Sequence, residues 1–140
     1  MTLSKAKREQ VRMIFGGRCA YCGVELTGKW HVDHVEAVFR DSVWVRSTDK
    51  RPGYYASTGK MLKPENDHIG NCFPACVPCN ISKGACDLEG WRRWIDTQIT
   101  AVLRKNEANF RHAERFGRVV VITEPVQFWF EKYAARESSI

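Results

Sequence analysis

The chain has 140 residues, 44% of them hydrophobic and 27% charged, a composition that excludes an intrinsically disordered protein and fits one globular domain over 1–140. No apolar run approaches the roughly 20 residues that span a bilayer, and the N-terminus lacks the apolar core of a secretory signal, so we expect a cytoplasmic protein that does not bind membranes. The formal net charge of +6 favours a polyanionic partner such as DNA, because lysine and arginine side chains that neutralise phosphates release counterions.

Three short elements are predicted in the N-terminal part of the chain. Ser4 is expected to cap a helix that runs through Phe15 and stops at two glycines. The segment Cys19-Ala-Tyr-Cys22-Gly23 follows and has the form of a zinc knuckle, a tight turn in which both thiols point inward. Trp30 to Phe39 places valines among polar residues and predicts a strand.

The segment 40–64 is predicted to be an inserted loop or an irregular hairpin, because turn-forming residues interrupt it twice. It contains six basic residues and two acidic ones, and so carries most of the net positive charge of the chain. It is therefore a candidate DNA-contacting arm, with Arg46, Lys50 and Arg51 as its proposed nucleic-acid contacts. A solvated loop that happens to be basic is the simpler alternative.

Helices are expected to dominate the C-terminal part of the chain, after a short strand over 70–75. A helix opens at the second Cys-x-x-Cys pair and is expected to end at Gly84. From Leu88, apolar residues recur at intervals of three and four, which predicts a long helix to about Phe110 and a helical extension over 88–140. Val119 to Ile122 predicts a short strand, and 125–135 fits either a helix or a strand.

Four of the six cysteines form two Cys-x-x-Cys pairs: Cys19, Cys22, Cys76 and Cys79. In a chain with no sign of export, this arrangement favours metal binding over disulfides, and four thiolates are the ligand set of a closed structural zinc. The interval between the pairs is far longer than the roughly 15 to 20 residues of a compact zinc ribbon. The zinc is therefore expected to clamp the base of a larger unit, while Cys72 and Cys86 fall outside the pattern.

A second pattern lies around these cysteines. Asp33-His34 falls in the first predicted strand, Asn71 precedes the second pair, and Asn80-Ile-Ser-Lys83-Gly84 follows it directly. The combined order resembles the HNH endonucleases, in the form with two flanking Cys-x-x-Cys knuckles, and is similar to the catalytic modules of phage junction-resolving enzymes and CRISPR effectors. The resemblance covers about residues 15–90. It implies an α+β fold in which a ββα-metal core holds a structural zinc and has helices on both sides.

The resemblance also implies a function, a metal-dependent DNA endonuclease of phage or mobile-element type that hydrolyses phosphodiester bonds inside a bacterial host cell. His34 takes the role of the general base, Asp33 and Asn80 those of ligands to a catalytic Mg²⁺ or Mn²⁺, and Asn71 that of orienting the loop and the base. Many members carry histidine at the third position. Asn80 there supplies an oxygen ligand, which strengthens the assignment of Mg²⁺.

Other polar side chains are open to two interpretations. His31 shares the first predicted strand with the catalytic pair and is either an accessory contact to substrate or metal, or a surface or capping group. Lys83, Arg92 and Arg93 are candidate contacts to DNA phosphates or, equally, a solvated charged surface. The alternative function is a zinc-binding DNA module without catalysis, which explains the cysteines and the charge but not the nuclease-like spacing of the remaining residues. A nuclease directed at RNA is a further alternative.

Overall fold

The computed structural model describes residues 3–48 and 52–138, which contain six α-helices and two small antiparallel sheets. The strands in chain order are β1 (Trp30–His34), β2 (Arg40–Val45), β3 (Tyr54–Met61) and β4 (Cys72–Cys76). The helices are α1 (Lys5–Met13), α2 (Val77–Lys83), α3 (Leu88–Thr97), α4 (Arg104–Asn106), α5 (Ala108–Arg115) and α6 (Trp129–Glu137). This mixture of helix and sheet confirms the predicted α+β class. Across the described ranges, every helix is too short or too polar to cross a bilayer.

The first helix begins where the sequence predicts. The Ser4 hydroxyl accepts a hydrogen bond from the Lys7 amide at 3.3 Å and caps α1. The helix ends at Met13, slightly earlier than expected, and the chain then turns through Gly16, whose φ of 65° is a conformation that favours glycine.

The sheet that carries the predicted site pairs β1 with β4. The two strands are antiparallel, with Asp33 opposite Phe73 and His34 opposite Cys72. β4 leads directly into α2, which ends at Lys83 before Gly84 takes a φ of 53°. Both the second predicted strand and the short helix after it are thus confirmed.

β2 and β3 form a separate antiparallel ribbon with a register shift between Arg40 and Ser42. Of the two alternatives predicted for 40–64, an inserted loop or an irregular hairpin, the structure shows the irregular hairpin. Arg46 directly follows β2 and is exposed, whereas Lys50 and Arg51 lie outside the described residues. Most residues of both strands are exposed to solvent.

The long helix predicted over 88–110 is broken. α3 ends at Thr97, a π-helical turn covers Gln98–Leu103, and Glu107 has extended backbone before α5 begins. The Thr97 hydroxyl and the Gln98 side-chain amide both donate to the carbonyl oxygen of Trp94 at 3.0 Å. These side chains compete with backbone amides for a helical acceptor, which favours a change of helical geometry at this point.

The strand predicted at Val119–Ile122 is wrong, because this described segment has no regular structure. Val120 and Ile122 are exposed, so their side chains have no sheet on which to pack. For 125–135, which was predicted to be either a helix or a strand, the helix is correct from Trp129 onward. The carboxylate of Glu131 accepts a hydrogen bond from the Phe128 amide at 2.8 Å and so caps the start of α6.

The hydrophobic core joins segments that are far apart in the sequence. Its buried members are Cys19, Tyr21, Leu26, Ala75, Trp91 and Phe128. The rings of Trp91 and Phe128 stack with centroids 5.2 Å apart, and the Tyr21 ring meets Trp91 edge-on at 5.1 Å. The Trp129 amide donates to the Tyr21 carbonyl at 2.9 Å. The C-terminal segment therefore closes over the first cysteine pair.

Candidate functional site

Four thiols meet where the first knuckle approaches the end of β4 and the start of α2. Their sulfur atoms all lie within 4.8 Å of one another, and they belong to Cys19, Cys22, Cys76 and Cys79. The sulfurs of Cys22 and Cys76 are 3.7 Å apart. Zinc–sulfur bonds of about 2.3 Å place tetrahedral ligands roughly 4 Å from one another. Both the donor chemistry and the spacing therefore fit a metal ion such as zinc.

Burial and hydrogen bonds among the four sulfurs change the pKa values of these thiols. A hydrogen bond with Cys79 lowers the pKa of the Cys19 thiol to about 4, whereas burial raises the pKa of Cys22 to about 11. The hydrogen bond with Cys19, together with burial, raises the pKa of Cys79. Four adjacent thiolates repel one another. A divalent cation offsets that repulsion, and its binding releases the remaining thiol protons.

The first knuckle is held by its neighbours on two sides. The Ala20 amide donates to the Pro74 carbonyl at 2.8 Å, which ties the knuckle to β4. Gly23 has a φ of 76°, and a Cβ there would lie 3.0 Å from the ring of Trp129. Glycine is thus required both by the turn and by the close approach of the C-terminal helix. These contacts place the two cysteine pairs beside each other.

Asp33 is buried within a polar cluster at the end of β1. Its Oδ2 atom accepts a hydrogen bond from the Tyr21 hydroxyl and lies 3.1 Å from the Lys83 ammonium. Burial and the adjacent Asp33 charge raise the pKa of Tyr21, so the phenol stays protonated and acts as a donor. The Lys83 ammonium also donates to the carbonyl of His34 at 2.8 Å. Within the described part of the chain, no residue hydrogen-bonds Oδ1 of Asp33, which leaves that oxygen for a ligand.

This cluster corrects the predicted role of Lys83 as a DNA contact. Its side chain is 0% exposed, and an ammonium group buried between two oxygen acceptors does not reach a phosphate outside the protein. Arg92 is also engaged within the protein, since it pairs with Glu89 at 3.2 Å and with Glu131 at 2.6 Å. Of the three basic residues predicted to contact phosphates, Lys83, Arg92 and Arg93, only Arg93 is exposed. The role of Lys83 is to tie α2 to β1.

Replacing Lys83 with methionine is expected to lower the free energy of unfolding by about 3–5 kcal/mol, because it leaves the Asp33 carboxylate buried without its cation. Urea denaturation followed by circular dichroism measures the change. Lys105→Met, at an exposed lysine, is the control and should have little effect. The double variant Lys83→Met with Asp33→Asn should recover part of the loss, since no unpaired charge remains. A loss below about 1 kcal/mol for the single variant would contradict this account of the ion pair.

His34 lies at the end of β1 with a carboxylate beside it. Its Nε2 atom is 2.9 Å from Oδ1 of Asp67, and both side chains are partly buried. A carboxylate next to one ring nitrogen favours the tautomer that carries the proton there, which leaves Nδ1 as the proton acceptor. Asp67 was not among the site residues predicted from the sequence. It stands in a polar loop well after His34, and no local spacing relates the two residues.

Asn71 lies directly before β4, and its side chain is hydrogen-bonded to the loop that follows β1. Its Oδ1 atom accepts from the Glu36 amide at 2.9 Å, while its Nδ2 atom donates to the carbonyls of Glu36 and Asn66 at 2.8 and 2.9 Å. These bonds turn the chain away from the sheet, which explains why β1 ends at His34 instead of continuing to Phe39 as predicted. Asn71 therefore shapes the loop next to His34 and, through these bonds, touches none of the side chains of Asp33, His34 and Asn80.

Asn80 is held by a residue on the neighbouring strand. Its Nδ2 atom lies 3.0 Å from Nδ1 of His31. An amide nitrogen only donates, so Nδ1 of His31 accepts this bond, and the amide oxygen of Asn80 is left for another partner. From the sequence, His31 was expected to be either an accessory contact to substrate or metal, or a surface or capping group. In the structure, His31 instead orients the side-chain amide of Asn80.

Three of the predicted site residues line a single cleft of about 260 Å³, namely Asp33, His34 and Asn80. Phe39 and Arg40, at the base of the ribbon, line the same cleft. A carboxylate and an amide oxygen are hard donors and form an incomplete ligand shell of the kind that Mg²⁺ or Mn²⁺ accepts. Arg40 is exposed and adds a positive charge to the lining of the cleft.

No protein-family model matches the chain, and no match is found among curated proteins or solved structures. The function is therefore inferred from the chemistry of the cleft and from the cysteine cluster beside it.

Proposed function

We propose that this protein is a metal-dependent DNA endonuclease of the HNH type, stabilised by a structural zinc on its four cysteines. The observation that carries the proposal is the convergence of Asp33, His34 and Asn80 on one cleft. A zinc-binding DNA module without catalysis accounts equally well for the cysteines and the basic surface. It offers no reason for a histidine paired with a carboxylate beside two oxygen donors.

In the proposed reaction His34 is the general base. With the proton of Nε2 directed at Asp67, Nδ1 accepts the proton of the attacking water as the oxygen approaches phosphorus. Asp67 holds the ring in this tautomer and stabilises the positive charge that the imidazole gains. Asp67 is thus a positioning residue, which acts on the substrate only through His34.

Asp33 and Asn80 are the residues that would hold Mg²⁺ or Mn²⁺. An ion held there would supply positive charge to stabilise the phosphorane-like transition state and the leaving 3′ oxygen. Each of the two ligands is oriented by a neighbour within the protein: Lys83 holds Asp33, and His31 holds Asn80. Such contacts from outside the ligand shell fix ligand geometry before the metal binds.

The proposal is tested by incubating the purified protein with supercoiled plasmid and with branched DNA, in buffer freed of divalent ions and then supplied with Mg²⁺, Mn²⁺ or Ca²⁺. Relaxed or cut DNA is expected with Mg²⁺ and Mn²⁺ only. A strong chelator is avoided because it would also remove zinc from the four thiols. An RNA substrate of matching sequence tests the alternative nucleic acid. A folded, zinc-loaded protein that binds DNA but cuts nothing under these conditions would support the non-catalytic zinc module.

A further inference from the structure

The ribbon formed by β2 and β3 exposes aromatic side chains that the proposed cleavage chemistry does not use. Trp44, Tyr54 and Tyr55 are 54%, 59% and 70% exposed. A two-stranded ribbon is only marginally stable by itself, and rings that stay more than half in water gain little of the stabilisation that burial gives. Clustered exposed aromatics of this kind mark an interaction surface.

Two of these rings form a preassembled pair. Trp44 and Tyr55 lie directly opposite each other across the strands, and their ring centroids are 5.0 Å apart in an edge-to-face arrangement. A Cβ on Gly53 would overlap the Trp44 ring, so the indole lies close against the backbone at the start of β3. The ring is therefore held by its neighbours while half of its surface remains open to a partner.

The charge around this pair is positive. Four basic residues on the ribbon and at its base are exposed, and among the described residues none of them forms an ion pair: Arg40, Arg46, Lys60 and Lys63. The acidic residue of β2, Asp41, accepts a hydrogen bond from the Thr58 hydroxyl at 2.8 Å. Arg40 also lines the cleft that holds His34. Positive charge therefore continues from the cleft onto the ribbon.

We propose that the ribbon binds unpaired bases of the DNA substrate, with a base stacked on the Trp44–Tyr55 pair and with Arg40 and Arg46 neutralising the adjacent phosphates. In a duplex the base faces already stack on one another, whereas single-stranded and branched DNA present theirs to an aromatic side chain. The basic residues favour a nucleic acid over an uncharged protein surface. The inference rests on the proposed nuclease function and adds the substrate class, DNA with unpaired nucleotides beside the cleavage position.

Fluorescence anisotropy without added Mg²⁺ tests the inference with three labelled DNAs, a short single strand, a blunt duplex and a duplex with splayed ends. The full-length protein should bind the single strand and the splayed DNA more tightly than the blunt duplex. Trp44→Ala should weaken binding to the two DNAs with unpaired bases about 5- to 100-fold and hardly change duplex binding, since one stacking contact is lost. Trp44→Phe, which keeps a ring, should retain most of the affinity. Trp94→Ala, at a tryptophan of 52% exposure on α3, is the matched control and should bind like the unaltered protein.

A salt series separates stacking from charge. Trp44→Ala should leave the slope of log affinity against log salt unchanged, while Arg46→Ala should reduce it by roughly 0.7, the value for one phosphate contact on a single strand. Equal affinity of Trp44→Ala and the unaltered protein for all three DNAs overturns the inference. A change of oligomeric state in sedimentation with unchanged DNA binding also overturns it, and assigns the ribbon to self-association. Because binding is measured without cleavage, failure of the nuclease assay alone would overturn the proposed chemistry and leave base stacking supported.

Discussion

Serine in place of Cys19 is expected to unfold the protein or to leave it largely unstructured. Cys19 is fully buried in the core and is one of four thiols that join the first knuckle to β4 and α2. A structural zinc contributes about 10–16 kcal/mol to the folding of small zinc domains. Whole domains have a net stability of only about 5–15 kcal/mol. Loss of the zinc would therefore remove an amount of stability comparable with the whole net stability of the domain.

Elemental analysis and circular dichroism measure this effect. The unaltered protein should contain about one zinc per chain, and removal of the zinc by a chelator should abolish its cooperative thermal transition. Cys86→Ser is the matched control, because Cys86 is exposed and lies outside the cluster, and it should change neither zinc content nor melting temperature. A stably folded sample that contains no metal would show that the four cysteines are not a structural zinc site.

Replacing His34 with alanine is expected to reduce Mg²⁺-dependent DNA cleavage by at least about 100-fold, the scale for loss of a general base. The variant should keep its zinc, its fold and its DNA affinity, because His34 lies outside the cysteine cluster and is only partly buried. Rates of plasmid nicking at saturating protein, together with anisotropy for binding, provide the two measurements. Cleavage by His34→Ala at the unaltered rate would falsify the proposed mechanism.

Asp67→Asn makes the test of His34 more specific. If Asp67 acts by orienting His34, the variant should lower kcat, by less than His34→Ala does, and leave KM unchanged. Asp67→Glu, which keeps the carboxylate, should recover part of the rate.

Asn80→Asp keeps an oxygen ligand and should retain some activity, while Asn80→His should shift the preferred metal toward softer ions. Asp33→Ala is less informative, because it also leaves Lys83 buried without its counterion.

The cysteine cluster and the short elements beside it were predictable from the sequence because their signal is local. Each Cys-x-x-Cys pair requires a tight turn, and the turn residue Gly23 is visible beside the first pair. The apolar segment before the second cysteine pair likewise indicates the short strand β4, and the glycine after Lys83 marks the end of α2. These features depend on neighbours in the chain, so residue order alone indicates them.

The partners of those residues were decided by the tertiary structure. Loop closure brings Asp67 beside His34, and the packing of α2 on β1 brings His31 beside Asn80. No fixed sequence spacing relates the two residues of either pair. Lys83 is the clearest case. A lysine at a helix end is usually solvated, yet here the packing of α2 on β1 buries it against Asp33.

In the C-terminal region, too, some features were predictable from the sequence and others depended on tertiary packing. Apolar periodicity from Leu88 correctly indicated a helical face, because periodicity reports which residues are buried along a helix. It did not indicate the break after Thr97, where side chains compete for a backbone acceptor, nor the return of α6 over the first knuckle. The sequence by itself thus determined the four cysteines of the cluster and the short elements that carry them. The fold decided which groups surround each ligand, because burial and hydrogen bonding between distant segments depend on the packing of the whole chain.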